Sequence, residues 1–189
     1  MKYLKPYNKI LESNQFLTNK DDIVEWLQST IGLLKFRFTI SNDFVVNVEN
    51  SVEIDLANRN LDFIPVKFGK TGSFYCYNNN LTSLKGCPDV INGNFSCRKN
   101  NLLYLDFIPD VRHGGFYYDE NPIHLLITTL LNNNSMGLTM TRKVIEHLND
   151  YDVVKGNKIY LDNLKEVLYI YDIDCNIDNL YKLDDYIIV

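Results

Sequence analysis

The amino-acid sequence lacks several features that would assign it to a common functional class. No run approaches the roughly 18 uncharged apolar residues of a membrane-spanning helix. A basic excess is also missing, because 19 Lys and Arg residues stand against 24 Asp and Glu residues and the formal net charge is −5. Without a positive global field, we expect no binding to nucleic acid and no binding to an anionic membrane surface.

Motifs of familiar catalytic sites are missing as well. The chain has no Gly-rich phosphate loop, no GxSxG, no HExxH and no CxxC pair. His113, His124 and His147 share no spacing typical of a metal site or a catalytic site. We therefore expect a protein that is not an enzyme and that needs no metal ion and no cofactor.

The N-terminus and the cysteines favour the cytoplasm. Residues 1–11 contain three lysines but neither an apolar core nor a small-residue cleavage site, so we expect no secretory signal. Cys76 and Cys97 fall at equivalent inward positions of a repeat, and free cysteines are ordinary small core residues. Alanine occurs once, at Ala57, whereas Asn, Ile, Tyr and Lys are abundant. Their codons indicate an AT-rich genome, as in many bacteria and phages.

A period of 21 residues runs through the middle of the chain. An earlier copy precedes the first full unit by 20 residues. Such a recurrence is the signature of a repeat architecture, in which each unit forms one turn of a solenoid. The equivalent positions include Phe74, Phe95 and Phe116; Asn79, Asn100 and Asn121; Leu81, Leu102 and Ile123; Val90 and Val111; Pro88 and Pro109; Gly93 and Gly114.

Each unit reads apolar-x-apolar-x-x-Asn-x-apolar. The alternation predicts a short strand in which Phe74 and Cys76 point inward while Tyr75 and Tyr77 point outward. We expect the repeated asparagine, such as Asn79, to bond backbone groups of the neighbouring turn. The return segments contain Pro and Gly and are too short for a full helix, so an extended or 3₁₀ path is expected there.

Several segments have the sequences of a known repeat family. They are Val52-Glu-Ile-Asp-Leu56, Asn60-Leu61, Pro65-Val-Lys-Phe-Gly69 and Asn80-Leu-Thr-Ser-Leu-Lys-Gly86, with closing segments at 121–123 and 149–162. In these motifs the chain resembles the short leucine-rich-repeat-like proteins of tailed phages and some bacteria, and more distantly the repeats of secreted bacterial effectors. The resemblance implies the architecture and little about function, since most members have no assigned activity. Arg59 departs from the pattern at a ladder-asparagine position, as in a capping repeat.

The predicted fold class is α+β, with a short leucine-rich-repeat-like β-solenoid between two caps. We expect an N-terminal helical cap over 1–35, the solenoid over 36–121 and an α-rich C-terminal cap or interaction unit over 122–189. Helices are predicted at 21–31, 122–131, 141–148 and 162–170, and strands at 36–40 and 44–48. Thr18 or Asn19 is expected to cap the first helix, and Gly32 to end it.

An acidic segment near the C-terminus has two interpretations. Asp172, Asp174, Asn176 and Asp178 alternate as in the start of a calcium loop. The segment lacks the glycine at the sixth position and the glutamate at the twelfth. Because apolar residues alternate with these polar ones, a half-buried strand over 173–177 explains the pattern as well.

The outward face of the repeat strands is the candidate binding surface. Aromatic residues and Arg on a rigid surface are typical of interface anchors, although tyrosines also simply favour strands. The predicted protein-binding residues are Asp55, Tyr75, Tyr77, Arg98, Tyr117 and Asp119.

From these residues we hypothesise that the chain is a non-enzymatic protein-binding solenoid. The expected partner is a host or viral protein, docked and inhibited in the host cytoplasm by a phage-encoded protein. One alternative is a self-assembling or virion-associated protein, including a homodimer. Another is a targeting solenoid with an effector activity in residues 122–189. Candidate residues for that activity are His124, His147, Asp162 and Cys175.

Overall fold

Short parallel strands, stacked one turn upon the next, form the first part of the molecule. Its computed structural model describes residues 15–33, 37–131 and 138–189. Within these residues the chain divides into two compact units. The first unit runs to Asn100 and includes Phe107–Tyr118, and the second combines Asn101–Asp106 with Asp119–Val189. The three-part division expected from the sequence stays a prediction.

The described part of the first unit contains one α-helix and ten short strands. They are α1 (Lys20–Ile31), β1 (Phe38–Ile40), β2 (Val45–Val48), β3 (Ile54–Asp55), β4 (Lys67–Phe68), β5 (Lys70–Thr71), β6 (Phe74–Tyr75), β7 (Val90–Ile91), β8 (Phe95–Ser96), β9 (Asp110–Val111) and β10 (Phe116–Tyr117).

Two sheets of this unit are entirely parallel. One has the strand order β10-β8-β6-β3, and the other has the order β5-β7-β9. Because the strands of the two sheets alternate along the chain, the backbone winds as a parallel β-solenoid of roughly three turns. At the start of the unit, β1 and β2 form an antiparallel hairpin, and β2 pairs in parallel with β4. The prediction of a β-solenoid in a chain of mixed α and β structure is confirmed.

Aromatic rings fill the interior of the solenoid at the 21-residue spacing. Phe74 pairs in register with Phe95, and Phe95 pairs with Phe116. The rings of Phe95 and Phe116 are nearly parallel, with centroids 5.4 Å apart. Cys76 and Cys97 are both buried and have no exposed surface. The alternation of the sequence therefore predicts the inward side of these strands correctly.

The second parallel sheet does not follow the same spacing. Val90 pairs with Asp110, so the predicted equivalence of Val90 and Val111 is wrong by one residue. Compared with the second turn, the third turn has one residue fewer between Phe95 and Asp110. It has one residue more between Val111 and Gly114. At Gly114 the chain again passes directly over Gly93, where a Cβ would collide with the Gly93 backbone. The offset arises because hydrogen bonding between turns, rather than side-chain similarity, sets the register.

Asparagine side chains tie successive turns together. The Asn100 amide nitrogen donates to the carbonyl oxygens of Cys76 and Cys97, each at 3.0 Å. Its oxygen accepts from the Leu81 N–H at 3.0 Å. Asn79 plays the same role one turn earlier, and both side chains are buried. The predicted bonding of these asparagines to neighbouring turns is confirmed.

The first helix forms because both of its ends are capped. The Asn19 side chain accepts from the Asp21 N–H at 2.8 Å, which satisfies a free donor of the first turn. Gly32 ends the helix in the left-handed conformation, with φ of 66°. Trp26, the single Trp of the chain, is buried on the helix face that carries Ile23 and Leu27. The helix predicted over 21–31 is confirmed, with Asn19 as its cap.

The described part of the second unit is largely helical. Asn121 continues the asparagine bonding in this unit, because its side-chain oxygen accepts from the Leu102 N–H at 3.1 Å. Three predicted helices are confirmed, and the middle one begins three residues earlier than expected. The elements are α2 (Pro122–Leu130), α3 (Leu138–Asp150), β11 (Val154–Lys155), β12 (Lys158–Ile159), α4 (Leu161–Ile170), a 3₁₀ helix (Ile177–Lys182) and β13 (Ile187–Ile188).

Of the two interpretations of the acidic segment near the C-terminus, the half-buried strand over residues 173–177 is wrong. A 3₁₀ helix begins at Ile177, and the residues before it carry no strand. The Asn176 side chain accepts from the Asp178 N–H at 3.0 Å and caps this helix. A local side-chain bond of this kind competes with strand pairing, which explains the difference.

The helices of residues 15–33, 37–131 and 138–189 are all too short or too polar to cross a membrane.

Loss of one ladder asparagine should destabilise the protein strongly. In Asn100→Ala, the Leu81 N–H loses its acceptor, and the Cys76 and Cys97 carbonyl oxygens each lose one hydrogen bond, although the Cys76 oxygen keeps its bond from Asn79. We expect the free energy of unfolding in urea to fall by about 2 kcal/mol, because an orphaned buried group costs about 1–3 kcal/mol and two further hydrogen bonds are lost. Asn80→Ala, at an exposed neighbouring asparagine, is the control and should change it by less than about 0.5 kcal/mol. Equal effects of the two substitutions would contradict the ladder's role.

The second unit should be sensitive to alkaline pH through Tyr186. Its buried hydroxyl donates to the Leu103 carbonyl oxygen at 2.7 Å. Burial, assisted by the Asp185 carboxylate, raises the pKa of Tyr186 above its ordinary value of 10.0. The folded state therefore holds this proton more tightly, and the resulting stability is complete below pH 10 and lost as the pH rises further.

Replacement of this hydroxyl tests the pH dependence. We expect Tyr186→Phe to lower the free energy of unfolding by about 1 kcal/mol at pH 8, through loss of the hydrogen bond. The deficit relative to wild type should shrink as urea unfolding is repeated above pH 10. Tyr181→Phe, at a side chain that is 65% exposed, should match wild type throughout. A Tyr186→Phe deficit that stays constant with pH would refute the assignment.

Candidate binding site

In-register pairing of the four-stranded sheet arranges its outward side chains in a row. Asp55 pairs with Tyr75, Tyr75 with Ser96, and Ser96 with Tyr117. These positions alternate with the buried phenylalanines, so they lie on the opposite face of the sheet. The surface that they share is called the strand face below.

A groove of about 490 Å³ opens on the strand face. Three tyrosines line it, together with three uncharged polar side chains and two cations. The lining residues are Asn58, Tyr75, Tyr77, Asn78, Ser96, Arg98, Lys99 and Tyr117. This surface is called the tyrosine groove below.

Ser96 forms the floor of the tyrosine groove. It is only 5% exposed, and it stands between Tyr75 on one neighbouring strand and Tyr117 on the other. Because adjacent strands lie about 4.8 Å apart, the backbones that carry these two tyrosines are roughly 10 Å apart. The Tyr77 ring meets the Tyr75 ring edge-on, with centroids 6.5 Å apart. A small residue between large ones thus creates the cavity.

The corner after each strand has a left-handed backbone. Asn58, Asn78 and Lys99 occupy this corner in successive turns, with φ of 58°, 53° and 51°. The Asn78 side chain donates to the Asn58 side-chain oxygen at 2.6 Å. Every residue with a Cβ approaches the following carbonyl closely in this conformation, and asparagine offsets part of that cost because its short polar side chain can hydrogen-bond locally, which lysine cannot do. Lys99 therefore holds a strained position at the edge of the tyrosine groove.

The charge of the tyrosine groove differs from that of the chain. Arg98 and Lys99 are both exposed and line it, and its lining residues include no carboxylate. The formal net charge of the protein is −5. The residues that line the groove therefore carry two positive charges and no negative charge.

The structure brings together four of the six residues predicted for binding. Asp55 is exposed on β3, but its carboxylate accepts from the Ala57 N–H at 2.9 Å and does not line the groove. Asp119 is half-buried and belongs to the second unit. The four that line the tyrosine groove are Tyr75, Tyr77, Arg98 and Tyr117.

The prediction from the sequence omits part of the groove. It does not include Asn58 and Asn78 at the left-handed corners, although their 20-residue spacing is the spacing of the first repeat. Lys99 follows Asn78 by 21 residues and could have been found in the same way. The role of Ser96 as a floor depends on its neighbours across the sheet, which only the pairing reveals.

A second groove, of about 500 Å³, lies elsewhere in the same unit. The ammonium groups of Lys67 and Lys85 lie 4.9 and 5.4 Å from the centre of the Phe16 ring. Phe107 lines this groove with 59% of its surface exposed and a left-handed φ of 57°. It provides an exposed aromatic residue in the same unit, outside the tyrosine groove.

The residues considered for an effector activity have separate surroundings. The Asp162 carboxylate pairs with the Lys165 ammonium at 3.1 Å, and the His147 ring packs against two tyrosine rings. Burial, assisted by Asp174, raises the pKa of the Cys175 thiol and so lowers the fraction of reactive thiolate. In the ranges that the structure describes, no three His, Cys, Asp or Glu residues are grouped to hold a metal ion.

No protein-family model matches this chain, and no curated protein or solved structure is significantly similar to it. Functional conclusions therefore depend on its own geometry.

The strained corner at Lys99 should be relieved by asparagine. We expect Lys99→Asn to raise the free energy of unfolding by about 1 kcal/mol, because asparagine adopts the left-handed conformation at lower cost. The measurement is urea unfolding beside Lys70→Asn, where the replaced lysine is an exposed strand residue with an ordinary backbone. The control should show no gain. A Lys99→Asn variant no more stable than wild type would contradict the strain.

Proposed function

We propose that this chain is a non-enzymatic protein-binding module whose docking site is the tyrosine groove with the strand face around it. The observation that supports the proposal is the convergence of Tyr75, Tyr77 and Tyr117 with Arg98 and Lys99 in one cavity. Tyrosine and arginine are enriched among the residues that dominate binding energy at protein interfaces. Their grouping in a cavity, rather than their number, favours recognition over simple strand preference.

Rigidity of the strand face supports the same function. The strands that carry the tyrosines are tied to each other by the parallel pairing and by the buried amides of Asn79 and Asn100. A surface that is already ordered loses little conformational entropy when a partner docks. Tyr75 and Tyr77 also restrain each other through their edge-on contact. Anchor residues held in this way can bind without rearrangement of the sheet.

The proposal also includes the repeat class, the kind of partner and the cellular location that the sequence predicts. The turns are leucine-rich-repeat-like, which the asparagine bonding and the inward Phe, Cys and Leu positions support. By the resemblance to phage proteins, the partner is a host or viral protein in the cytoplasm, and the chain inhibits it by covering its surface. The roles of α1 and of the second unit as caps stay predictions.

The test is affinity capture from a lysate of the natural host, read by mass spectrometry. Wild type is compared with a variant that carries Tyr75→Ala, Tyr77→Ala, Arg98→Ala and Tyr117→Ala, after circular dichroism has shown that the variant is folded. We expect a protein retained by wild type to be depleted at least about tenfold by the variant, as for loss of interface hot spots.

Phe107→Ala is the matched control for this experiment. It removes an exposed aromatic side chain of the same unit without touching the tyrosine groove, so capture should equal that of wild type. A partner that the groove variant and wild type retain equally would exclude the tyrosine groove as the docking site. Failure of wild type to retain any protein would count against the binding module itself.

A further inference from the structure

Asn92-Gly93 is the single Asn-Gly pair in the sequence. An asparagine before a glycine is chemically labile, because glycine has no Cβ that would shield or restrain its backbone nitrogen. In the reaction, that nitrogen attacks the side-chain carbonyl carbon of the asparagine, and its proton leaves with the side-chain amide group as ammonia. Water then opens the resulting cyclic imide and gives either aspartate or an isoaspartyl linkage. The pair is therefore a candidate site of spontaneous covalent modification.

Hydrogen bonds to the preceding turn hold the backbone of this pair. The Gly93 N–H, whose nitrogen is the attacking atom, donates to the Gly72 carbonyl oxygen at 2.8 Å. The Asn92 N–H donates to the Thr71 carbonyl oxygen at 3.1 Å. The pair directly follows β7, which lies between β5 and β9 and has a paired strand on each side. Since the Gly93 nitrogen must give up a proton that is held between turns, the folded backbone opposes the first step.

The side chain of Asn92 is held to the preceding turns as well. Its amide nitrogen donates to the Asn50 side-chain oxygen at 2.9 Å and, more weakly, to the Thr71 carbonyl oxygen at 3.4 Å. This nitrogen is the atom that leaves as ammonia, so both bonds must break before the reaction is complete. The fold thus opposes deamidation at the attacking nitrogen and at the departing one.

The corner that contains this pair has no room for an additional main-chain atom. Gly72, Gly93 and Gly114 follow one another at the 21-residue spacing. A Cβ on Gly93 would collide with the Ser73 side chain, and a Cβ on Gly114 would collide with the Gly93 backbone. An isoaspartyl linkage takes the main chain through the side-chain carbons of residue 92 and lengthens it by one methylene group. That change moves the Gly93 N–H away from its acceptor on Gly72 and disrupts the stacking of the three glycines.

We propose that Asn92-Gly93 is a latent deamidation site, which the solenoid protects while the turn that contains it is closed. Opening of this turn releases the Gly93 nitrogen and the Asn92 side chain, and the reaction then proceeds with water as the only co-reactant. The isoaspartyl product cannot restore the native hydrogen bonds between turns. An opening that lasts long enough for the reaction therefore removes the molecule from the folded population irreversibly.

The rate of deamidation in the folded and in the unfolded chain tests the protection. The full chain is incubated at pH 8 with and without denaturing urea, and the fragment that contains residue 92 is followed by mass spectrometry. A capped peptide with the sequence of residues 90–95 gives the intrinsic rate in both solutions. We expect the unfolded chain to match the peptide and the folded chain to react at least about tenfold more slowly, since only its open fraction reacts. A folded chain that reacts as fast as the peptide would overturn the proposal.

Two variants test whether the bonds between turns control the reaction. Asn100→Ala weakens the ties between successive turns and should raise the rate in the folded chain by about threefold or more. Asn50→Ala removes the exposed acceptor of the Asn92 amide and should also raise the rate, with little effect on folding. Asn80→Ala is the control and should react as wild type does. Wild-type rates in both folded variants would contradict control by these bonds.

Refolding of the reacted chain tests the consequence. The chain is deamidated in urea, the isoaspartyl form is separated by chromatography, and the urea is then removed. We expect this form not to recover the circular dichroism of the native chain, whereas unreacted chain carried through the same steps recovers it. Asn92→Asp is the matched control, because it carries the same new charge on an ordinary main chain, and it should refold. An isoaspartyl form that refolds with the stability of wild type would overturn the irreversible step.

Discussion

The buried amides of Asn79 and Asn100 are the constraint on which the solenoid depends. Most of its strands are two residues long, so the strand ladders alone supply few hydrogen bonds. The corners between strands would leave buried N–H and C=O groups without partners, which is costly in a protein interior. Each amide bonds backbone groups of two successive turns and thereby holds them in one register. The same bonds place the outward residues of one turn beside those of the next.

Because the register of the strands is fixed, single residues determine the chemistry of the strand face. Within one row, Tyr75 and Tyr117 would meet a third side chain if Ser96 were large, and no cavity would exist between them. Because Ser96 is small and almost fully buried, the tyrosines become walls rather than a continuous aromatic strip. The groove is thus a consequence of packing against a rigid sheet and requires no loop or lid.

At the corners, the residue that is present is not always the one that the backbone conformation favours. A sharp change of direction after each strand requires a left-handed residue, and Asn58 and Asn78 meet this need at low cost. Lys99 meets it at a higher cost and presents an ammonium group beside the tyrosine groove. The backbone need at this corner is therefore the same in three turns, while the side chain that it presents to the groove changes from an amide to a cation.

The sequence by itself determined what depends on neighbouring residues and on the repeat: the inward position of Phe74 and Phe95, the bonding role of Asn100, and the helix that Asn19 and Gly32 delimit. Alternation and capping are local rules, so they can be read from spacing. Only the tertiary structure decided the pairing of Val90 with Asp110, the 3₁₀ helix after Asn176, and which outward residues share a cavity. Those features depend on hydrogen bonds between turns and on the size of a neighbour across the sheet. The spacing of residues along the sequence predicts neither the hydrogen bonds between turns nor which residue lies across the sheet.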